Sequence, residues 1–200
     1  DKLNTFRTAI LAEGVGLVKP RTTAGIIRLA IDKKKNHRSL IIADKKLKVQ
    51  WSEELAILGV SGEHYDYMSR EEFALKKKDE LDLIAKEYQL IVIDEAHLGF
   101  KNRGTQAYRK IQYVDEKAAN LGNPVRGLLL TATPWNNSRK DVLNLGSLLL
   151  NIDDIPNDRQ YKQYFLYGNT ARVINKLVSD DDAFNEFWED LFLQRTRKTY

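Results

Sequence analysis

The sequence predicts an α/β fold with a doubly wound, mainly parallel sheet and a helical appendage at its C-terminal end. Two apolar segments of buried-strand length end abruptly in polar residues. These are Leu90–Ile93 before Asp94 and Glu95, and Leu128–Leu130 before Thr131. Continuously apolar strands are typical of parallel sheets, since helices cover both faces. Helical segments alternate with these strands, as a doubly wound sheet requires.

The predicted elements follow from the spacing of apolar residues and from turn residues such as Gly and Pro. In chain order they are a helix over 22–31, a strand over 39–43, a helix over 47–55, a helix over 70–86, a strand over 90–93, a helix over 105–119, a turn over 120–124, a strand over 128–130 and a helix over 138–150.

After Leu150 the sequence predicts a loop followed by helices, with no further buried strand. We therefore expect residues 1–150 to form the sheet domain and residues 151–200 to form a helical appendage and junction. Aromatic and aliphatic residues with helical spacing are expected to fasten the appendage to the sheet domain. They are Phe184, Phe187, Trp188, Leu191 and Phe192, while Trp51 and Trp135 are read as core residues.

Composition narrows the classes of function. The chain has 200 residues, 42% hydrophobic and 30% charged, which suits one globular domain with an appendage. It has no Cys and 3 His, so disulfides and thiolate metal sites are excluded and a zinc cluster is not expected. No membrane span or signal peptide is recognisable, and we expect an intracellular protein without a membrane partner. The net charge of +4 is compatible with nucleic acid.

The Asp94-Glu95 pair is the first candidate for chemistry. A hard cation such as Mg²⁺ prefers carboxylate oxygens, which Asp94 at a strand end can supply. The neighbouring Glu95 can orient and deprotonate an attacking water. The alternative is an ordinary acidic pair at the end of a strand.

The order of the motifs carries a family resemblance. Asp94-Glu-Ala-His97 followed by Thr131-Ala-Thr-Pro134 resembles motifs II and III of superfamily-two helicases. The segment 128–138 is similar to the motif III region of Swi/Snf-type DNA translocases. Four further segments agree: 39–55 with motif Ia, 66–73 with motif Ib, Lys101-Asn102 after motif II, and 192–198 with the arginine-rich segment before the second lobe.

This resemblance implies a RecA-like lobe of the P-loop NTPase type that binds ATP and Mg²⁺. It implies Asp94 as the magnesium residue and Glu95 as the residue for the catalytic water. Thr131 and Thr133 would couple the nucleotide site to motion, and His97 would link that site to them by hydrogen bonding. The second RecA-like lobe, which carries the family's arginine finger, is absent from this chain and is expected after Tyr200.

The phosphate loop departs from the family pattern. The corresponding residues are Gly14, Val15, Gly16, Leu17, Val18, Lys19 and Pro20. Val18 stands where the family has a second Gly, and Pro20 stands where it has the magnesium-binding Thr. Valine resists the positive φ that a phosphate cradle often needs, and proline lacks both an N–H and a hydroxyl. We carry over Lys19 as a phosphate contact, assign no metal-binding Thr, and expect weak or distorted nucleotide binding.

Contact with double-stranded DNA is the second implied function. Motifs Ia and Ib of the family touch the phosphate backbone, which gives sequence-independent and salt-sensitive binding. The basic residues in and near these segments are Lys45, Lys46, Lys48, Arg70, Lys101 and Arg103. Asp44 stands where the family often has Pro. The alternative for the lysines is plain solvation.

Two other functions stay open. One is a binding module that does not hydrolyse nucleotide, which Val18 and Pro20 favour and which Asp94-Glu95 and the Thr131–Thr133 segment oppose. The other is a strand-separating helicase or the motor of a restriction enzyme, against which Trp51 and the Asn137-Ser138 pair argue.

Overall fold

Six strands form one sheet in this computed structural model, which describes residues 2–13, 18–132, 138–166 and 170–194. The strands are β1 (Thr8–Ala12), β2 (Ser39–Ala43), β3 (Tyr65–Ser69), β4 (Leu90–Ile93), β5 (Arg126–Thr131) and β6 (Phe192–Gln194). Their order across the sheet is β3-β2-β4-β5-β1-β6, and each of these pairings is parallel. The predicted doubly wound α/β fold is therefore confirmed.

Helices cover both faces of the sheet, because alternate residues of each strand point to opposite sides. Ile10 of β1 joins the core on one face and its neighbour Leu11 joins the core on the other. The helices are α1 (Lys2–Thr5), α2 (Val18–Lys33), α3 (Lys48–Ile57), α4 (Arg70–Leu75), α5 (Lys78–Glu87), α6 (Gln106–Asn120), α7 (Arg139–Gly146), α8 (Lys162–Phe165), α9 (Ala171–Val178) and α10 (Asp181–Leu191). Helices α2 and α3 line one core, and α4 to α10 line the other. None of the described helices has the length and apolar composition of a membrane span.

The predicted single helix over 70–86 is wrong, because the structure has two helices there, α4 and α5. The break at residues 76–77 is stabilised by Glu80, whose carboxylate accepts the Lys77 backbone N–H at 2.8 Å. The same carboxylate accepts the Lys76 ammonium at 2.9 Å. A capping glutamate three residues into a helix favours a new N-terminus over continuation of the preceding helix.

Three strands were not predicted. Strand β6 follows the C-terminal helices, where the sequence predicts no further buried strand, and only Phe192 of its three residues is buried. Strand β1 is fully buried but has only five residues. Strand β3 lies at the sheet edge with half-exposed residues, so its hydrophobic signal is weak. The predicted helix over 138–150 is shorter than expected and spans Arg139–Gly146.

The C-terminal helices pack on the same core as the sheet. Phe184, Phe187 and Leu191 of α10 are buried, and Trp188 stacks on Phe192 with ring centroids 4.0 Å apart. The expectation that these residues fasten the C-terminal helices is confirmed. Trp51 is fully buried as predicted, whereas Trp135 lies outside the described residues.

Gly146 at the end of α7 allows the close approach of Phe187. A Cβ atom at this position would lie 2.5 Å from the Phe187 ring. We predict that Gly146→Ala lowers the free energy of unfolding by about 1–3 kcal/mol, since a rigid ring must shift. The measurement is urea denaturation followed by circular dichroism.

Gly25→Ala in α2 is the matched control. A Cβ there would meet Leu58 at an ordinary 3.9 Å. The control should therefore stabilise the protein by about 0.5–1 kcal/mol, because alanine loses less backbone entropy in a helix. Equal effects of the two substitutions would contradict the close packing of α7 on α10.

Candidate functional site

Polar residues from three adjacent strands meet at the carboxyl edge of the sheet. Strands β4, β5 and β1 are neighbours, and each is followed or ended by a polar side chain. These are Asp94 after β4, Thr131 at the end of β5 and Glu13 after β1, and all three are buried. The carboxyl edge of a parallel sheet is where ligands bind in this class of fold.

Lys19 lies in the first turn of α2 and reaches the residues after β4. Its Nζ is 2.6 Å from Glu95 Oε1 and 4.0 Å from Asp94 Oδ1. Lys19 is only 4% exposed, so its charge depends on these carboxylates for compensation. A lysine at the N-terminus of a helix is also suited to an anionic ligand, because backbone N–H groups and the helix dipole attract negative charge.

Glu95 adopts a left-handed backbone conformation, with φ 47° and ψ 49°. This region is uncommon for residues other than glycine. The turn is stabilised by the Glu95 backbone N–H, which donates to Asp94 Oδ1 at 2.9 Å, and by the ion pair with Lys19. The two carboxylates differ in their contact with solvent: Asp94 is 4% exposed, whereas the Glu95 side chain is 28% exposed.

Burial raises the pKa of the Asp94 carboxyl, although the nearby Lys19 ammonium opposes the shift. The indole of Trp51 is near enough to favour the ionised carboxylate. Within the described part of the chain, Trp51 Nε1 is buried without a partner at hydrogen-bond distance. Asp94 thus lies in a poorly solvated position where a cation would stabilise its charge.

His97 joins the acidic pair to strand β5. Its Nδ1 is 3.0 Å from Thr131 Oγ1 and 3.4 Å from Glu95 Oε2. Burial lowers the pKa of His97, with the Glu95 carboxylate opposing this shift. In a neutral imidazole that carries its proton on Nδ1, this one N–H can donate to both the Thr131 hydroxyl oxygen and the Glu95 carboxylate.

The site suits a magnesium ion only together with other ligands. Among the described residues, no group of three His, Asp or Glu side chains could hold a metal by itself. Mg²⁺ usually keeps several waters and binds through one or two carboxylates plus substrate phosphates. Asp94 could supply one such carboxylate, since it is buried beside the Lys19 ammonium.

The predicted DNA-contacting residues differ in exposure. Lys45, Lys46 and Lys48 are exposed in and beside the 3₁₀ turn Lys45–Leu47, which follows β2. Lys101 is exposed after the acidic motif, and Arg103 lies over the Tyr108 ring at 5.5 Å.

Arg70 behaves differently from these lysines. Its side chain is only 18% exposed and faces the residues after β2 and β4. The guanidinium is 3.8 Å from Asp44 Oδ2 and 3.4 Å from the Asp94 carbonyl oxygen.

Part of the predicted site lies outside the described residues: Gly14, Val15, Gly16, Leu17 and Thr133, together with the side chain of Val18. The structure also adds Trp51 beside Asp94, and Asp44 with Tyr67 beside Arg70. The family-like Gln50-Trp51 pair was the one available signal for Trp51. The position of Tyr67 could have been found only by recognising β3 as a strand, whose alternation of side chains places Tyr67 on one face of the sheet.

Solved structures with this fold include helicase-type ATPases. The Sulfolobus solfataricus SWI2/SNF2 ATPase core in complex with dsDNA has a TM-score of 0.63 and 20% identity. That match covers 98% of this chain and 42% of the other. The DUF1998 helicase MrfA bound to DNA and AMPPNP has a TM-score of 0.53 and 16% identity, over 74% of this chain and 25% of that one. No family model and no curated protein matches the sequence.

The chain thus has the fold of a RecA-like helicase lobe and spans less than half the length of either solved structure.

The buried Asp94 carboxyl predicts a pH-dependent stability difference. Because burial raises its pKa in the folded state, the folded protein retains this proton at pH values where the unfolded chain releases it. The wild type should therefore lose stability, relative to Asp94→Asn, as the pH rises above about 4, the usual pKa of Asp. The measurement is urea unfolding of both proteins across this pH range.

Asp32→Asn makes the same change of charge at a side chain that is 48% exposed. It serves as the control. An Asp94→Asn difference that stays constant or shrinks as the pH rises would contradict a raised pKa of the buried Asp94 carboxyl.

Proposed function

We propose that this chain is the ATP-binding lobe of an ATP-dependent translocase on double-stranded DNA, with Mg²⁺ as its cofactor. The observation that carries the proposal is the convergence of Lys19, Asp94, Glu95, His97 and Thr131 at one edge of the sheet. The fold shared with the two DNA-bound helicase-type structures supports the same function.

Phosphate binding exchanges the partner of Lys19. In the described state the Lys19 ammonium is neutralised by Glu95 at 2.6 Å. A nucleotide phosphate at the N-terminus of α2 attracts the same ammonium and releases the Glu95 carboxylate. Nucleotide binding therefore produces the free carboxylate that hydrolysis needs.

Asp94 and Glu95 then divide the work of hydrolysis. A magnesium ion held with the nucleotide would supply positive charge against the charge that develops on the phosphate. Asp94 would hold it through a carboxylate oxygen, and Glu95 would accept a proton from the water that attacks the γ-phosphorus. The new P–O bond forms as the bond to the ADP oxygen breaks. The transition-state arginine would come from a second lobe, and its absence should reduce the rate about 10³–10⁵-fold.

His97 and Thr131 would transmit a movement of the Asp94–Glu95 pair to β5. His97 Nδ1 lies between Glu95 Oε2 and Thr131 Oγ1, so movement of the Glu95 carboxylate changes the partner of His97. Thr131, together with Thr133, would pass this change toward the second lobe.

DNA contact is assigned to the exposed lysines beyond β2, with Lys101 and Arg103 as further contacts. Lys45 and Lys46 lie on one short turn and Lys48 begins the helix that follows it, so that three cations can meet consecutive phosphates. Such contacts carry no sequence information, which is appropriate for a motor that moves along DNA.

A binding module without hydrolysis is the second candidate, and Pro20 favours it. Pro20 is buried in the first turn of α2, where it supplies neither an N–H nor a hydroxyl to a phosphate–magnesium complex. Such a module would keep the fold and the basic turn but bind nucleotide weakly.

Repair of the phosphate loop tests nucleotide binding. The wild type should bind Mg-ATP more weakly than micromolar. Val18→Gly combined with Pro20→Thr should tighten binding by about tenfold or more, because one regained hydrogen bond to a charged group contributes about 1.5–3 kcal/mol. Isothermal titration calorimetry measures both affinities.

Lys19→Ala added to the repaired loop is the control and should abolish the gain. Micromolar binding by the wild type would contradict the expected weakness of the loop. No binding by the repaired variant would contradict the assignment of the nucleotide site.

Salt dependence tests the DNA interface. Replacement of Lys45, Lys46 and Lys48 by Ala should weaken binding to a duplex. It should also reduce the slope of log K against log salt by about 0.9 for each lost phosphate contact. Fluorescence anisotropy between about 50 and 200 mM salt measures the slope.

The matched control replaces Lys33, Lys34 and Lys35 by Ala. These substitutions remove the same charge at the C-terminal end of α2, away from the carboxyl edge of the sheet. If both triple variants changed the slope equally, the assignment to the turn after β2 would be wrong.

A further inference from the structure

Arg70 is held with its guanidinium between two functional segments. It is the first residue of α4, and the preceding Ser69 caps this helix by accepting the Glu72 backbone N–H at 3.0 Å. In return, the Ser69 backbone N–H donates to the Glu72 carboxylate at 2.6 Å. This reciprocal cap fixes the backbone from which the Arg70 side chain extends.

One end of the guanidinium reaches the segment that carries the acidic pair. Arg70 Nη1 donates to the Asp94 carbonyl oxygen at 3.4 Å. The aliphatic part of the side chain lies along the same segment. Arg70 Cδ is close to Gly99, where a Cβ atom would be 3.9 Å from it. Arg70 therefore contacts the main chain on which the Asp94 and Glu95 side chains are mounted.

The other end of the guanidinium faces Asp44. This residue begins the segment 44–48, called the lysine turn here because it carries Lys45, Lys46 and Lys48. Arg70 Nη2 is 3.8 Å from Asp44 Oδ2. Asp44 Oδ1 accepts the Lys46 backbone N–H at 2.9 Å, and the Asp44 carbonyl accepts the Tyr67 hydroxyl at 2.6 Å. One carboxylate thus caps the turn through one oxygen and pairs with Arg70 through the other.

We propose that Arg70 is a positioning residue that transmits occupancy of the lysine turn to the Asp94–Glu95 segment. This inference rests on the proposed function, in which Lys45, Lys46 and Lys48 receive DNA phosphates. A phosphate at this turn repels the Asp44 carboxylate and attracts the guanidinium. Because the same guanidinium donates to the Asp94 carbonyl, its displacement moves the main chain that sets the acidic pair.

The low exposure of Arg70 distinguishes this role from direct DNA contact. The side chain is 18% exposed, whereas the three lysines are exposed on the turn. A partly buried guanidinium that already faces a carboxylate and a carbonyl contributes little as a free phosphate contact. Removal of Arg70 should therefore uncouple the two segments more than it weakens DNA binding.

The experiment follows backbone amide signals by NMR while a short mixed-sequence duplex is added at low salt, without nucleotide. In the wild type, amides of residues 94–99 should shift with the same midpoint as those of residues 45–48. In Arg70→Gln the shifts at 45–48 should remain, and those at 94–99 should be lost. Arg28→Ala, which removes the exposed ion pair with Asp32 on α2, is the control and should behave as the wild type.

Retained shifts at 94–99 in Arg70→Gln would overturn the coupling and leave the DNA interface intact. A wild type that does not bind the duplex would overturn both the interface and the coupling. If Arg70→Gln loses the dispersed spectrum of a folded protein, Asp44→Asn decides the question. It keeps an oxygen to cap Lys46 but removes the charge that a phosphate would repel. The shifts at residues 94–99 should therefore become smaller, and unchanged shifts there would overturn the proposal.

Discussion

The ion pair between Lys19 and Glu95 is the contact on which the geometry of the site depends. Lys19 is almost fully buried, and an unpaired buried ammonium is strongly destabilising, so the lysine requires a carboxylate or an anionic ligand at this point. Neither partner can move freely. Lys19 belongs to a helix packed on one face of the sheet, and Glu95 follows a strand at its centre. The left-handed backbone of Glu95 persists because the rest of the fold determines it.

Lys19 and Pro20 both lie in the first turn of α2, which belongs to the proposed phosphate loop. A helix N-terminus normally offers several free N–H groups to an anion. Pro20 removes one of them, so the Lys19 side chain carries a larger share of the attraction for phosphate. The same side chain is occupied by Glu95, and a nucleotide must compete with that carboxylate. In the proposed function, both features would weaken nucleotide binding, through separate causes that separate substitutions can address.

The sequence predicts the central strands well, since β4 and the Leu128–Leu130 part of β5 are continuously apolar and are followed by the acidic and threonine residues. Strand β3 is different: Tyr-Asp-Tyr-Met-Ser is half-exposed at a sheet edge and carries no clear hydrophobic period. The ion pairs were also beyond prediction. Charge alone groups Arg70 with the lysines, whereas the capped start of α4 directs its side chain inward to Asp44, 26 positions earlier in the chain. Such direction depends on tertiary packing.

The Lys19–Glu95 contact and the Arg70 contacts differ in length, and therefore in how easily a ligand could change them. The Lys19–Glu95 contact at 2.6 Å is short and charge-assisted, so only a competing anion of high charge density can replace it. The Arg70 contacts, at 3.4 and 3.8 Å, are longer than direct hydrogen bonds of ordinary strength. Their length permits small displacements at low cost in free energy. In the proposed function, nucleotide would break the strong contact at one end of the Asp94–Glu95 segment, and a DNA phosphate at residues 44–48 would adjust the weak contacts at the other. Both ligands would then act on the same few residues, and this shared segment would let one lobe combine the two signals.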